Sequence, residues 1–374
     1  MKPNEGFLNA MREAVALLRH RGPAEATEAI RRALRGDTAG TTNEAASQND
    51  AHAPVTFPFA EAKAQWKSKS KDAFAPAARE TNVDVEDRGH FSTLTYSNAA
   101  GHRQYRLYVP SGDAGEPLPL IVMLHGCTQN ADDFATGTQM NTLAERHRCL
   151  VAYPVQPRQA NPSKCWNWFR PDDQHRERGE PSLIAGITRE IIAAHHVDPA
   201  RVYVAGMSAG GAMAAIMVAA YPELYAAAGV HSGLPAHCAH DLPSALAAMK
   251  GGRQPGAPRH TKRAEGLPQR PMIVFHGDAD ATVHVANATR ILHGFDVQRG
   301  VDREERRVDA GGRTWSVSRL VSGGGVDAEL WTIHGGSHAW SGGDANGSYT
   351  DPTGPDASAE MMRFFLAHPR LQGG

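Results

Sequence analysis

The sequence predicts an α/β fold, a mostly parallel, doubly wound sheet with helices on both faces, preceded by a helical amino-terminal extension. Three observations lead there. Short apolar runs rich in β-branched residues recur at 104–109, 119–125, 149–153, 202–206, 226–231, 271–276 and 328–334. Helix-period patterns separate them, at 138–147, 182–195, 210–221, 285–294 and 357–367. Strands that alternate with helices imply parallel pairing under helical cover. The third observation is that each chemistry-bearing motif follows a strand, and ligands of such sheets bind beyond the strands' carboxyl ends.

The first 90 residues stand apart. Within 1–35, Phe7, Met11, Ala14, Val15 and Leu18 recur at helical spacing, Gly22-Pro23 breaks the pattern, and Ile30, Ala33 and Leu34 resume it. A helical segment is expected there, and a linker or extension over 36–90. Its start, 36–53, has almost nothing to bury. Residues 57–80 interleave Phe57, Phe59, Trp66 and Phe74 with Lys63, Lys67, Lys69 and Lys71. We expect these aromatics to pack on the main domain; the alternative is a segment that adsorbs to an apolar particle. The catalytic domain is expected at 91–370.

Lys+Arg 39 against Asp+Glu 40 leaves a formal net charge of -1. That balance provides no field for nucleic acid, and no apolar run has the length of a membrane span. Residues 1–35 carry charges throughout and lack a continuous apolar block, so a cytoplasmic location is expected. Of the four cysteines, Cys149 lies in an apolar strand and reads as a buried small hydrophobe. Cys127 and Cys165 lie in loops expected at the site.

The run from Arg201 to Ala215 takes a strand through a Gly-x-Ser-x-Gly turn into an Ala-rich helix. That context makes Ser208 the candidate nucleophile, thrown clear by a tight turn, with Gly206 and Gly210 sparing room where backbones crowd. The helix points its positive end at the site. A serine hydroxyl needs a base and an acid that orients it. The strand from Pro271 runs into Asp278-Ala-Asp280, and Asp280 is preferred to Asp278 as that acid. The strand from Glu329 leads to Gly336-Ser-His338, whose loop lets the imidazole reach back; His334 reads as structural. An oxyanion needs two N–H donors, expected from Ala209, after the nucleophile, and Cys127, after the strand ending His125-Gly126. Cys165-Trp166-Asn-Trp168-Phe169 reads as an aromatic shelf, with Trp340 completing its wall; the alternative for at least one of these rings is packing in the core. Substrate contacts are expected at Trp166, Trp168, Trp340 and Gln129. His195-His196 and His237-x-x-His240 lack metal-site spacing, so no metal and no cofactor is expected.

Taken as an ordered set, His125-Gly-Cys-Thr-Gln, Cys165-Trp-Asn-Trp-Phe, Gly206-Met-Ser-Ala-Gly-Gly, His276-Gly-Asp-Ala-Asp and Gly336-Ser-His-Ala-Trp resemble the esterases of the polyhydroxybutyrate (PHB) depolymerase family. Its catalytic domain is also similar to some feruloyl and acetylxylan esterases. The resemblance covers roughly 100–368 and implies an α/β-hydrolase fold, with Ser208, Asp280 and His338 as triad and the Cys127 and Ala209 N–H groups as oxyanion hole. It implies a polyester cleft beside Trp166 and Trp168. A Cys127–Cys165 bridge would fix that loop beside the oxyanion hole, although a cytosolic location argues against its persistence. Secreted members carry signal peptides and carboxyl-terminal binding domains; this chain's additions are amino-terminal, as in intracellular members. The expected function is therefore serine-dependent cleavage of polyhydroxyalkanoate chains or oligomers, at a storage-granule surface or in solution. A feruloyl or acetylxylan esterase is the enzymatic rival, and a non-catalytic granule-surface binding protein the rival from another class.

Overall fold

The computed structural model describes residues 89–112, 115–251, 269–293, 295, 304–308, 313–322 and 326–370, all within one unit of the chain, 74–374. The helical segment expected at 1–35 lies outside the described residues, as does the extension at 36–90 apart from its last two positions.

In chain order the elements are β1 (His90–Asn98), β2 (Gly101–Val109), β3 (Leu118–Leu124), α1 (Ala131–Thr138), α2 (Met140–His147), β4 (Leu150–Pro154), a 3-10 turn (Pro171–Gln174), α3 (Gly179–Ala194), β5 (Val197–Met207) and α4 (Ala209–Ala220). There follow β6 (Ala227–His231), α5 (Leu242–Met249), β7 (Met272–Gly277), α6 (Ala286–Ile291), β8 (Glu304–Val308), β9 (Thr314–Val321), β10 (Asp327–Ile333), β11 (Trp340–Ser341), β12 (Thr350–Asp351) and α7 (Ala357–Ala367).

The main sheet runs β1-β2-β4-β3-β5-β6-β7-β10-β9-β8. From β4 to β10 every pair is parallel; the outer pairs are antiparallel. The central strands read as near-continuous apolar runs because they are buried on both faces: β3 is LPLIVML without one exposed residue. Its side chains alternate between two cores. Leu120, Val122 and Leu124 join Ile184 and Ile187 of α3 and Met213 and Ile216 of α4. Ile121 and Met123 join Phe134 of α1, Met140 of α2 and Phe364 and Phe365 of α7. The expected doubly wound sheet is therefore present.

The outer strands β1, β8 and β9 were not expected. β1 (HFSTLTYSN) has no fully buried residue, so its composition stays polar; an edge strand faces water and needs no apolar run. Nor were α1, the 3-10 turn and α5 expected. Among the described residues no helix is long and apolar enough to cross a membrane.

Candidate active site

The carboxyl ends of β3, β5, β7 and β10 lie along one edge of the parallel sheet, and each carries one part of the site. After β5, Ser208 adopts φ +57° and ψ −119° as it enters α4. A non-glycine residue held there costs about 1–3 kcal/mol, which the surroundings must over-determine. They do so by crowding. A Cβ on Gly206 would fall 2.4 Å from the Gly210 carbonyl oxygen, and one on Gly210 2.0 Å from that of Leu124. The Ser208 N–H donates to the His231 carbonyl (2.9 Å). Ala209 opens α4, and an N–H in the first helical turn has no intrahelical acceptor.

After β7, the Asp280 side chain is fully buried and its two oxygens are divided between two tasks. Oδ1 accepts the N–H groups of Thr282 (2.8 Å) and Val283 (2.9 Å). Oδ2 lies 2.7 Å from Nδ1 of His338, in the loop after β10. Burial alone would raise the Asp280 pKa, but the hydrogen bond and charge of His338, with the Val283 N–H and His276, hold it below the usual carboxylate range. His276 approaches the same oxygen at 3.5 Å while its Nε2–H donates to the Val283 carbonyl (2.8 Å). Burial lowers the His276 pKa and keeps that ring neutral.

His231 ties the serine turn to the histidine loop. Its carbonyl holds Ser208, and its Nε2 accepts the N–H of Ser341 (3.0 Å). Burial pushes its pKa down to about 3, with the neighbouring His276 and His338 adding to the effect.

After β3 the chain turns at Gly126, where an added Cβ would lie 3.6 Å from that of Ser208. The N–H groups of Gly126, Thr128 and Gln129 are taken up by Gln129 Oε1 (2.9 Å), the Ser163 carbonyl (2.7 Å) and the Gly126 carbonyl (3.4 Å). That of Cys127 makes no hydrogen bond among the described residues. The Gln156 N–H donates to His125 Nε2 (3.1 Å), so the ring's proton is on Nδ1, which donates to the Gly126 carbonyl (2.8 Å). Cys127 and Cys165 are joined in a disulfide.

The structure thus brings Asp280 to His338 and the Gly126–Cys127 turn to Ser208. It corrects the expected substrate wall. Trp166 and Trp340 are 0% and 1% exposed, Gln129 3% and Trp168 6%, so none forms an open shelf. Large rings in this loop fill the space beneath it instead. Trp166 packs on His125, and Trp168 meets Phe169 edge-on. Trp340 stacks on His231 with its indole N–H on Ser358 Oγ (3.0 Å). Gln129 braces the turn, since its amide donates to the Ser348 carbonyl (3.0 Å) while its oxygen holds Gly126. Sequence reasoning missed Arg103, Gln156, Asn167 and Glu180, which meet under the aromatic loop. No local signal marked them, since Glu180 opens a helix that also carries Arg189 and Glu190. Among the described residues no group of three or more His, Cys, Asp or Glu could hold a metal ion.

Residues 103–313 match the model of the family described as esterase PHB depolymerase. Over 246 residues the chain is 35% identical to poly(3-hydroxyalkanoate) depolymerase C of Paucimonas lemoignei, covering 64% of this chain and 58% of that one. It is 30% identical over 203 residues to a probable acetylxylan esterase A of Aspergillus fumigatus, covering 51% and 53%. To feruloyl esterase B of Neurospora crassa it is 31% identical over 241 residues, covering 61% and 80%. The chain therefore spans little more than half the length of the first two relatives. An acetyl xylan esterase from Aspergillus awamori superposes with a TM-score of 0.57 at 20% identity, covering 74% of this chain and 99% of that one. That likeness speaks to the fold, which is that of the α/β-hydrolases. With more than half of its residues inside the family's model, the chain belongs to the esterase PHB depolymerase family.

Proposed function

We propose that this chain is a serine carboxylester hydrolase that cleaves polyhydroxyalkanoate chains or their oligomers through an acyl-serine intermediate, with 91–370 as its catalytic domain. The observation that carries the reading is the buried 2.7 Å contact between Asp280 and His338, whose loop is tied through His231 to a Ser208 turn held in a strained backbone. Ser208 Oγ attacks the ester carbonyl carbon as its proton passes to His338. Asp280 holds Nδ1 of that ring and stabilises the imidazolium. The N–H groups of Cys127 and Ala209 receive the oxyanion, and the alcohol leaves with the proton from His338. Water, deprotonated by His338, then releases the acid and restores Ser208.

The name of the Paucimonas lemoignei relative supports polyester as substrate. The acetylxylan and feruloyl esterase relatives favour a second reading, cleavage of acetyl or feruloyl esters from plant polysaccharide fragments. Hydrolysis of 3-hydroxybutyrate trimers and amorphous granules, measured beside acetylated xylan and methyl ferulate, separates them. Release of 3-hydroxybutyrate with little acetate or ferulate is expected; the opposite pattern keeps the serine chemistry and replaces the substrate. Ser208→Ala is expected to lower every rate by at least about 10³-fold with the fold intact. Retained turnover would overturn the reading.

A cytoplasmic, granule-associated location belongs to the same proposal. The Cys127–Cys165 bridge weighs against it, because a reducing cytosol does not maintain disulfides. Alkylating the protein in fresh lysate decides the matter. Four modified cysteines mean a reducing compartment, and only Cys149 and Cys238 an oxidising one.

A further inference from the structure

Beneath the aromatic loop the structure buries a carboxylate that none of the steps above uses. Glu180 stands in the first turn of α3, 3% exposed. Its Oε1 accepts the side-chain amides of Asn167 (2.6 Å) and Gln156. Its Oε2 accepts the backbone N–H of Asn167 (2.7 Å). Arg103 Nη2, from β2, lies 3.6 Å from Oε1. Every one of these partners donates, so the site is built for an ionised acceptor. Closing a helix start does not require this arrangement, since a Ser or Asp cap at the surface does so without a buried charge.

Its partners are the frame of the candidate site. The Gln156 amide also donates to the Cys165 carbonyl (2.9 Å), and the Gln156 backbone N–H holds His125. His125 in turn holds the Gly126 carbonyl. That carbonyl and the Cys127 N–H are the two ends of one planar peptide group. Cys165, two residues before Asn167, is bridged to Cys127. One hydrogen-bonded route and one covalent route thus run from Glu180 to the same peptide.

We infer that Glu180 is a positioning residue of this site: through Gln156 and Asn167 it sets the plane of the Gly126–Cys127 peptide, and with it the aim of the N–H that receives the oxyanion. The inference rests on the proposed esterase mechanism, in which that N–H is a donor. An oxyanion donor acts in the transition state, so a misaimed one lowers kcat and leaves KM in place.

The charges around Glu180 add a pH dependence. Burial, then the charge of Asp173 on the 3-10 turn, push its carboxyl up to about 7, against the Asn167 N–H, the Gln156 amide and Arg103. Arg170 and Asp172 stand beside Asp173, and His125 beyond Gln156 is kept neutral by burial. Proton uptake near neutral pH therefore places an O–H on one carboxyl oxygen, opposing a donor that the carboxylate accepts.

The test is Glu180→Gln in the full chain, assayed on p-nitrophenyl acetate and 3-hydroxybutyrate trimer from pH 5.5 to 9. Expected is a fall in kcat of about tenfold for both substrates with KM within about twofold. A shallower acid limb of kcat than in the unaltered protein is also expected. Asn167→Ala, which leaves the carboxylate in place, is expected to lower kcat about threefold and decides the matter if Glu180→Gln does not fold. A folded Glu180→Gln protein with unaltered kcat overturns the inference, as does a loss confined to KM or an unchanged acid limb. If Ser208→Ala is inactive while Glu180→Gln is unaffected, this inference alone falls; if Ser208→Ala stays active, the esterase mechanism falls.

Discussion

Two Asp–His pairs join the same two loops, and they differ in almost everything around them. Asp280 meets His338 at 2.7 Å and Asp278 meets His334 at 2.9 Å; both aspartates follow β7 and both histidines follow β10. The side chains of the first pair are 0% and 10% exposed, those of the second 38% and 36%. The second pair even has a serine: Ser316 Oγ lies 2.7 Å from His334 Nε2, completing a Ser–His–Asp series by hydrogen bonding. Yet Ser316 sits mid-strand in β9, between β8 and β10, and no helix begins there. Ser208 sits on a strained turn at a helix start, beside the Gly126–Cys127 peptide. The contrast teaches that connectivity of three side chains is not a site. Backbone strain, unspent N–H donors and burial are what separate the first arrangement from the second. Asp278, whose Oδ1 also takes the Gly335 N–H at 2.7 Å, clasps the two loops from outside.

The two histidines should differ most in turnover. His338→Ala should lower kcat on p-nitrophenyl butyrate by about 10⁴-fold or more, whereas His334→Ala should leave it within about threefold. Equal losses would mean that the outer clasp takes part in the chemistry. At the acid, Asp280→Asn should cost about 10³- to 10⁴-fold, because the amide cannot hold the working tautomer. Asp278→Asn should cost about twofold, its penalty being stability of roughly 0.5–1 kcal/mol, as for exposed pairs. Urea melts beside the rates separate the two kinds of loss.

The buried layer beneath the first pair also makes the fold acid-sensitive. Burial pushes His231 down to about 3 and His125 to about 4. In the unfolded chain both take up a proton near pH 6.5. Between pH 6.5 and about 4 the unfolded state therefore binds more protons, so stability falls as pH falls, by on the order of 1 kcal/mol per pH unit for each ring. Thermal melts from pH 7.5 to 4.5 should show a steady drop; a flat Tm would mean that these rings are not held neutral.

What could be read from sequence follows from how locally each feature is encoded. The parallel strands announce themselves as apolar runs because both of their faces are buried, as in β3 and β7. The serine turn is legible because its glycines, Gly206 and Gly210, are forced by contacts within one short stretch and with β3. Arg103, Gln156, Asn167 and Glu180 come from separate segments, and nothing local marks a polar residue that will be buried with the others. The tryptophans mislead for a related reason. Aromatic composition tells that a loop has large apolar surface, not whether the rings face outward or, like Trp166 and Trp340, inward. Asp280 and Asp278 are separable by sequence only through order and spacing; their difference in burial needs the fold.

The smallest expected effect tests the lesson most directly. Ser316→Ala removes the hydroxyl from the outer series and leaves Asp278 and His334 in place. One side-chain hydrogen bond is lost from a nearly buried position, worth about 1 kcal/mol, so a small fall in Tm is expected. Turnover should stay within about 1.5-fold, because a serine within β9 has neither the strained turn into a helix that holds Ser208 nor a pair of oxyanion donors. A fluorophosphonate probe makes the result independent of substrate choice, since it labels a serine only when a neighbouring base activates it. Labelling should map to the peptide of Ser208 and be abolished by Ser208→Ala but not by Ser316→Ala. Label on Ser316 would show that hydrogen-bond connectivity alone activates a serine here, and the distinction drawn between the two pairs would have to be given up.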